Sequence, residues 1–298
     1  MKLEVKNIQK SFGEKKVLKG LSFIAEGGMA FGILGRNGAG KTTTIRIIMN
    51  VFPASSGEVL LNGEPINYKN VRFGYLPEER GLYPKKKIID QLCYFGELKG
   101  MDHKVAQQEA DRWLERLGMM EYRNKKLQTL SKGNQQKIQL ITALIHDPDI
   151  VILDEPFSGL DPVNAMLLKE VVKETIQKGK IVLFSSHQMN YIEEFCQSIA
   201  ILNEGKIAIT GTLKDIKRQY PRNQLVVTSL QSEAILEAYP ECSQVMDTGE
   251  ILFTMSSEQE KNQIMRQLID TFDIDAIRVY EPSLNDIFVQ YTQNGETQ

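Results

Sequence analysis

The stretch Gly35-Arg36-Asn37-Gly38-Ala39-Gly40-Lys41-Thr42 constrains this chain more than any other. It fits G-x-x-x-x-G-K-[ST], a loop that cradles phosphates with backbone N–H groups. Met29 to Leu34 before it reads as a buried strand. Thr43 to Val51 after it carries apolar residues at helical spacing (Ile45, Ile48, Met49). A strand, a glycine turn and a helix N-terminus form the context such a loop needs, and the helix dipole adds positive potential there. With glycine at about 7% of residues, the bare pattern arises by accident in roughly one chain of this length in a hundred, and the flanking elements lower that further. Gly35, Arg36, Asn37, Gly38, Ala39, Gly40, Lys41, Thr42 and Thr43 are therefore expected around a nucleotide. Lys41 would reach the β- and γ-phosphates, and the Thr42 hydroxyl would ligate Mg²⁺.

Bulk properties narrow the classes around that loop. A chain of 298 residues makes one large domain or two. The formal net charge of -2 speaks against a nucleic-acid partner. Cys93, Cys196 and Cys242 are far apart, with no C-x-x-C, and read as reduced, packed thiols. Lys2, Glu4 and Lys6 break any apolar leader, and no apolar run approaches a membrane span. The expectation is a cytoplasmic protein that reaches the inner face of a membrane only through a partner.

Residues 2–12 alternate, predicting a half-buried strand with Leu3, Val5 and Ile8 inward. Val17 to Ala25 predicts a second strand, Gly57 to Gly63 a third ending in an Asn-Gly turn, and Val71 to Leu76 a fourth. From Ile88 to Gly118 the period is helical, with Leu92, Phe95 and Leu98 on one face. Trp113 reads as a core anchor. Lys85 to Lys87 and Lys125-Lys126 read as solvated surface, with a docking surface as the alternative. Ile150-Val151-Ile152-Leu153, Ile181 to Phe184 and Ile199 to Leu202 are continuous apolar runs, as in parallel strands buried on both faces. Helices between them predict an α/β region. After Pro221 the pattern changes to strands at Leu225 to Leu230, Glu250 to Met255 and Ile274 to Tyr280. Helices are expected at Glu233 to Tyr239, Gln259 to Thr271 and Leu284 to Tyr291, with a frayed tail from Gln293.

Asp154 follows the first of the apolar runs, where ligands bind in open α/β sheets. An acid there can hold Mg²⁺ through water, and the adjacent Glu155 can polarise an attacking water. Two neighbouring acids also serve as a turn or helix cap, a reading weakened by the buried strand before them. Ser131 is a good N-cap for the helix running to Ile145, and Gly133 permits a close backbone approach. That is a second helix N-terminus suited to an anion. His187 follows Ser185 and Ser186 at another strand end.

Taken together and in this order, these residues resemble the ATP-binding subunit of an ABC transporter over about residues 1–221. Gly35 to Thr42 matches Walker A, Leu130 to Gln135 resembles the family signature, and Ile150 to Glu155 matches Walker B. Ser158-Gly159-Leu160-Asp161 matches the D-loop, and His187 the switch histidine. The resemblance implies Phe12 stacked on adenine, Val17 lining the same pocket, Glu155 and His187 as catalytic residues, and Thr42, Asp154 and Glu78 around Mg²⁺. It implies that Ser131, Lys132, Gly133 and Asn134, with Asp161 beside them, serve the ATP of an opposite cassette. Glu78 stands where the family usually has Gln. Lys132 and Asn134 stand where Gly and Gln are common. With Pro77 to Tyr83 and the ending Glu281 to Phe288, these variants resemble a subgroup of bacterial exporters that includes sodium-efflux-type ATPases.

The implied fold is α/β, a P-loop NTPase ABC cassette. It comprises a mixed sheet core, an N-terminal antiparallel β subdomain and a small helical subdomain at about 88–145. Residues 222–298 would form a small α+β appendix. The implied partners are a polytopic membrane permease, received near the helical region 88–125, and a second cassette, either itself or a paralogue. ATP and Mg²⁺ are the implied cofactors. Rival readings are an ABC ATPase working without a membrane partner, an ATP-binding regulatory module, and another P-loop enzyme. The chain has a single Walker A and no long coiled-coil or zinc insertion, against the first. Glu155 and His187 speak against the second, and the signature and D-loop against the third.

Overall fold

A computed structural model describes residues 1–79, 81–157 and 160–293. Ser158 and Gly159 of the expected D-loop, Arg80 and the tail beyond 293 lie outside the described residues. The chain forms two compact units, residues 1–213 with the C-terminal segment from Phe288, and residues 214–287.

The first unit begins with a hairpin of β1 (Lys2–Phe12) and β2 (Lys15–Glu26). Leu3, Val5 and Ile8 are all buried, although Ile8 breaks the odd-numbered alternation. A register shift between Val5 and Ile8, with Asn7 at φ 46, supplies the extra residue that returns Ile8 to the core face. Next come β3 (Ala30–Gly35), α1 (Lys41–Ile48), β4 (Ser56–Leu61) and β5 (Glu64–Pro65). Asn62 and Gly63 join the last two with φ 55 and 87, the doubly positive turn that Asn-Gly favours. β6 (Phe73–Leu76) leads to the helical region of α2 (Ile88–Leu98), α3 (His103–Arg116) and α4 (Lys132–Leu144).

Leu92 is buried as expected, but Leu98 is 61% exposed. The packing stripe runs through Gly96 instead, where an added Cβ would come within 3.0 Å of the Ala106 Cβ. This close approach turns Leu98 away from α3. Trp113 is buried, with the Arg112 and Arg116 guanidiniums 5.9 and 5.3 Å from its ring.

The rest of the unit alternates β7 (Ile150–Asp154), α5 (Pro162–Gln177), β8 (Ile181–Ser185), α6 (Met189–Phe195), β9 (Cys196–Asn203) and β10 (Lys206–Thr212). Six strands form one sheet in the order β10-β9-β3-β8-β7-β6, parallel except for β10. A separate antiparallel sheet has the order β2-β1-β4-β5. Ile33, Ile152, Leu183 and Leu202 share a core with Leu3, Val5, Leu18 and Leu21 of that second sheet and with Ile45 and Ile48 of α1. Alternate residues pack on the opposite side, as Phe184 does on Phe195 of α6 at 5.6 Å. Burial on both faces explains the continuous apolar runs, and it lines up the strand ends beside the phosphate loop.

After α7 (Leu213–Arg218), the second unit contains β11 (Gln224–Thr228), α8 (Ser232–Ala238), β12 (Ser243–Val245), β13 (Ile251–Thr254), α9 (Glu258–Thr271) and β14 (Ala276–Val279). The antiparallel order β12-β13-β11-β14 makes this a βαββαβ split arrangement. Its own core includes Leu225, Val227, Ile251, Phe253 and Leu268. The sequence extends β11 to Leu230, but that side chain is 96% exposed. The strand ends where Ser229 Oγ donates to Asp273 O at 2.6 Å and accepts from Gln231 N at 3.0 Å. The sequence boundary at 221/222 falls inside this unit, because α7 is short and mostly charged and gives no apolar period. The chain returns to the first unit at Phe288, within α10 (Leu284–Gln293).

Candidate nucleotide site

The phosphate loop joins β3 to α1 and closes on one side of a cavity of about 860 Å³. Gly38 and Gly40 have φ 83 and 111, values open to glycine. A Cβ on Gly40 would also lie 2.5 Å from Leu18 Cδ2. Gly40 is the N-cap of α1 and gives it no side-chain hydrogen bond, so the first N–H groups of the helix are left to a ligand. Lys41 folds back over the loop, its Nζ donating to Gly35 O at 2.7 Å and Arg36 O at 3.4 Å. Of the residues expected around the phosphates, all but Ala39 line the cavity, and Ala39 is buried beneath it.

The acids converge on the same space. Glu78, Asp154, Glu155 and His187 line the cavity together with Thr42. Asp154 is buried at the end of β7, and burial, reinforced by the charges of Glu78 and Glu155, raises its pKa above the usual carboxylate value. Tyr75 Oη donates to Asp154 Oδ2 at 3.4 Å, and burial beside that carboxylate pushes the phenol up to about 12. Glu155 is 5% exposed at φ 50. Its Oε1 accepts from the His187 backbone N–H at 2.8 Å and pairs with Nδ1 at 2.7 Å, while Oε2 accepts from Ser186 Oγ at 2.9 Å. The strained backbone and these donors aim Glu155 along one direction, and His187, with its side chain 62% exposed, presents its other edge outward.

The signature residues are elsewhere. Ser131 caps α4, its Oγ accepting from Asn134 N at 3.3 Å. A Cβ on Gly133 would lie 2.8 Å from Asn164 Nδ2 and 3.6 Å from Asp161 Oδ2. Asp161 caps α5, and the Asn164 backbone and side-chain N–H groups hold its carboxyl below the usual pKa. Ser131, Lys132, Gly133, Asn134 and Asp161 thus cluster at paired helix starts, and none of them lines the cavity of the phosphate loop. Val17 lines that cavity, but Phe12 does not. The Phe12 ring is 49% exposed and meets Phe52 edge-on at 5.5 Å, with Lys10 Nζ 5.1 Å from its centroid.

Residues 18–158 match the ABC transporter family. YhaQ of Bacillus subtilis (strain 168), described as an uncharacterized ABC transporter ATP-binding protein, is 43% identical over 290 residues, 97% of each chain. This chain belongs to the ABC transporter ATP-binding proteins. The linearmycin resistance ATP-binding protein LnrL of the same organism is 31% identical, with 97% of this chain and 98% of LnrL covered. A solved structure described as the ATP binding subunit of an ABC transporter is 30% identical with a TM-score of 0.67, covering 74% of this chain and 93% of its own. Residues 211–292 match the C-terminal domain of ATP-binding protein DrrA1-3-like proteins. As an ABC ATPase, the chain binds ATP and hydrolyses it.

Several groups at the ABC site were not assigned from the sequence. Lys15, Lys16 and Lys19 line the cavity from the β1–β2 hairpin and add positive charge for a triphosphate. The Lys15-Lys16 pair beside Gly13 was the one visible signal. Ser186 and Tyr75, which hold the two acids, and Glu204 and Phe288, which line the cavity, carry no motif. Among the described residues no helix is long and apolar enough to cross a membrane.

Proposed function

We propose that this ABC ATPase powers export through a separate membrane-spanning permease, with two cassettes closing head to tail on ATP. One observation carries this reading. The phosphate loop, Glu155 and His187 share a cavity, whereas Ser131 and Gly133 start a helix outside it. A single chain therefore presents two half-sites, and the signature half of a second copy or paralogue is what completes the first. ATP held between them acts as the bridge, and loss of the γ-phosphate removes it.

In the closed site the β- and γ-phosphates lie on the α1 N-terminus and Lys41. Glu155 takes a proton from the water that attacks the γ-phosphorus, and the bond to the β–γ bridging oxygen breaks to leave ADP and phosphate. His187 orients that water or the γ-phosphate from the Oε1 side of Glu155. Mg²⁺ fits the hard oxygen donors here, since a divalent cation offsets the charges of Glu78 and Glu155, which add to burial in raising the Asp154 pKa. Thr42 and Asp154 would hold it, with Glu78 through water, and it would neutralise phosphate charge.

The permease is received beside the helical region. Tyr83 and Tyr94 are 51% and 46% exposed there and border a groove with Lys86, Asp90 and Gln91. Buried Gln139 of α4 donates to Pro77 O and Glu79 O at 3.2 and 3.1 Å, tying the Glu78 loop to the helix that starts at Ser131. The relatives' names, among them a resistance protein, support an export direction. That partner would hold the ATPase at the cytoplasmic face of the membrane.

The test is Glu155→Gln. Phosphate release is expected to fall roughly a hundredfold to ten-thousandfold, the usual range for a general base. ATP binding persists and an ATP-bound dimer accumulates, read by light scattering. Wild-type turnover in this variant, or a monomer saturated with ATP, would overturn the reading.

A further inference from the structure

Part of the cavity wall has no role in the phosphate chemistry. Besides the loop, the lysines and the acids, that wall includes Val17 of β2, Glu204 and Phe288. These residues are far apart in sequence but stitched together. Gly205 N donates to Ala39 O at 3.2 Å, and Lys19 N donates to Gly205 O at 2.7 Å. A Cβ on Gly205 would lie 2.1 Å from Val17 O, so the Glu204-Gly205 turn is pressed against β2. One residue earlier, Asn203 Nδ2 donates to Tyr291 O at 3.3 Å, which anchors α10 beside that turn. Phe288 is three positions before Tyr291, on the same helical face. Its own carbonyl accepts from Thr292 Oγ1 at 2.7 Å, fixing the last turn.

Phe288 is half-buried and lines the cavity that Phe12, packed on Phe52, does not. An aromatic side chain in the wall of a phosphate-binding cavity suits the flat, apolar faces of a purine. We propose that Phe288 contacts the nucleoside part of ATP and closes the base end of the site. The residue that follows the C-terminal unit then takes part in nucleotide binding. The proposal rests on ATP binding at Gly35 to Thr43.

The experiment uses the full-length chain and two probes, ATP and inorganic tripolyphosphate. Phe288→Ala is expected to raise the Kd for ATP about tenfold, equivalent to about 1.4 kcal/mol. Affinity for tripolyphosphate, which has no base, should be unchanged. In Phe288→Trp the new indole should change its emission on adding ATP but not tripolyphosphate. Wild-type protein, whose single tryptophan is Trp113, provides the baseline. Lys41→Ala should lose both probes, and if it keeps both, the ATP-site reading itself fails. Wild-type ATP affinity in Phe288→Ala, equal loss of both probes in that variant, or an indole at 288 blind to ATP would each overturn the role of Phe288.

Discussion

Two helix starts in this chain are suited to anions, and they are built in opposite ways. α1 begins at Gly40, which offers no side chain, so its free N–H groups open into the cavity beside the Lys41 ammonium. α4 begins at Ser131, whose hydroxyl already accepts from Asn134 N, and it opens into none of the cavity. The first is a finished phosphate cradle. The second is satisfied by itself and binds phosphate only when one is brought to it. The difference teaches why one chain carries both: the pair makes one site only when two cassettes meet, and the self-capped end is the half that can wait.

Removing the charge from the finished half should have the largest effect. Lys41→Ala takes away the half-buried ammonium that lies over the phosphate loop while leaving the glycine turns intact. Loss of one partner of a desolvated charge pair costs 2–5 kcal/mol, so the Kd for ATP should rise on the order of a thousandfold. Equilibrium binding of a fluorescent ATP analogue to single chains measures it. Affinity within a few fold of wild type would remove Gly35 to Thr43 as the ATP site.

The ease with which each half was read from the sequence follows from the same contrast. The strand-loop-helix around Gly35 to Thr42 is local, and both its chemistry and its fold lie within one short stretch. The caps at Ser131 and Asp161 are local as well. β7 and β8 were legible because burial on both faces leaves Ile150 to Leu153 and Ile181 to Phe184 entirely apolar. What was missed depends on distance along the chain. Ser186 matters only because β8 ends beside β7, and Tyr75 only because β6 pairs with β7. Phe288 reaches the site from the far end of the chain, on a helix whose Tyr291 carbonyl accepts from Asn203 Nδ2. Leu98 was misread because Gly96, a residue with no apolar side chain, is what α3 packs against.

Acid should affect the two helices unequally. α1 contains no His, Asp or Glu, whereas α4 is followed by buried His146, whose Nε2 meets Phe73 O at 3.0 Å and whose Nδ1 has no partner among the described residues. Burial lowers its pKa from 6.5 to about 4. The folded value lies below the unfolded one, so between these limits the unfolded chain binds more protons. Stability therefore falls as pH drops from about 6.5 toward 4, by about 3 kcal/mol at most from this residue. His146→Gln keeps a donor for Phe73 O but does not titrate. In urea melts at several pH values, the wild-type advantage over this variant should shrink as pH falls. A gap independent of pH would show that His146 has the same pKa in the folded and unfolded chains.

The smallest effect in a single chain, and the sharpest for the comparison, is expected at Ser131. Ser131→Ala removes the hydroxyl that accepts from Asn134 N and should cost about 1 kcal/mol of stability, whereas Ser131→Gly should cost only a few tenths. Neither should change ATP binding by isolated chains, because Ser131 is outside the cavity. Both should weaken ATP-dependent dimer formation about tenfold, the value of one charge-assisted hydrogen bond to phosphate. Sedimentation of each variant in the Glu155→Gln background, with and without ATP, reads that equilibrium directly. If the dimer defect followed the capping loss, large in Ala and absent in Gly, Ser131 would act by holding α4 together. Equal defects in the two variants require the hydroxyl to leave Asn134 and turn to a phosphate that another chain supplies.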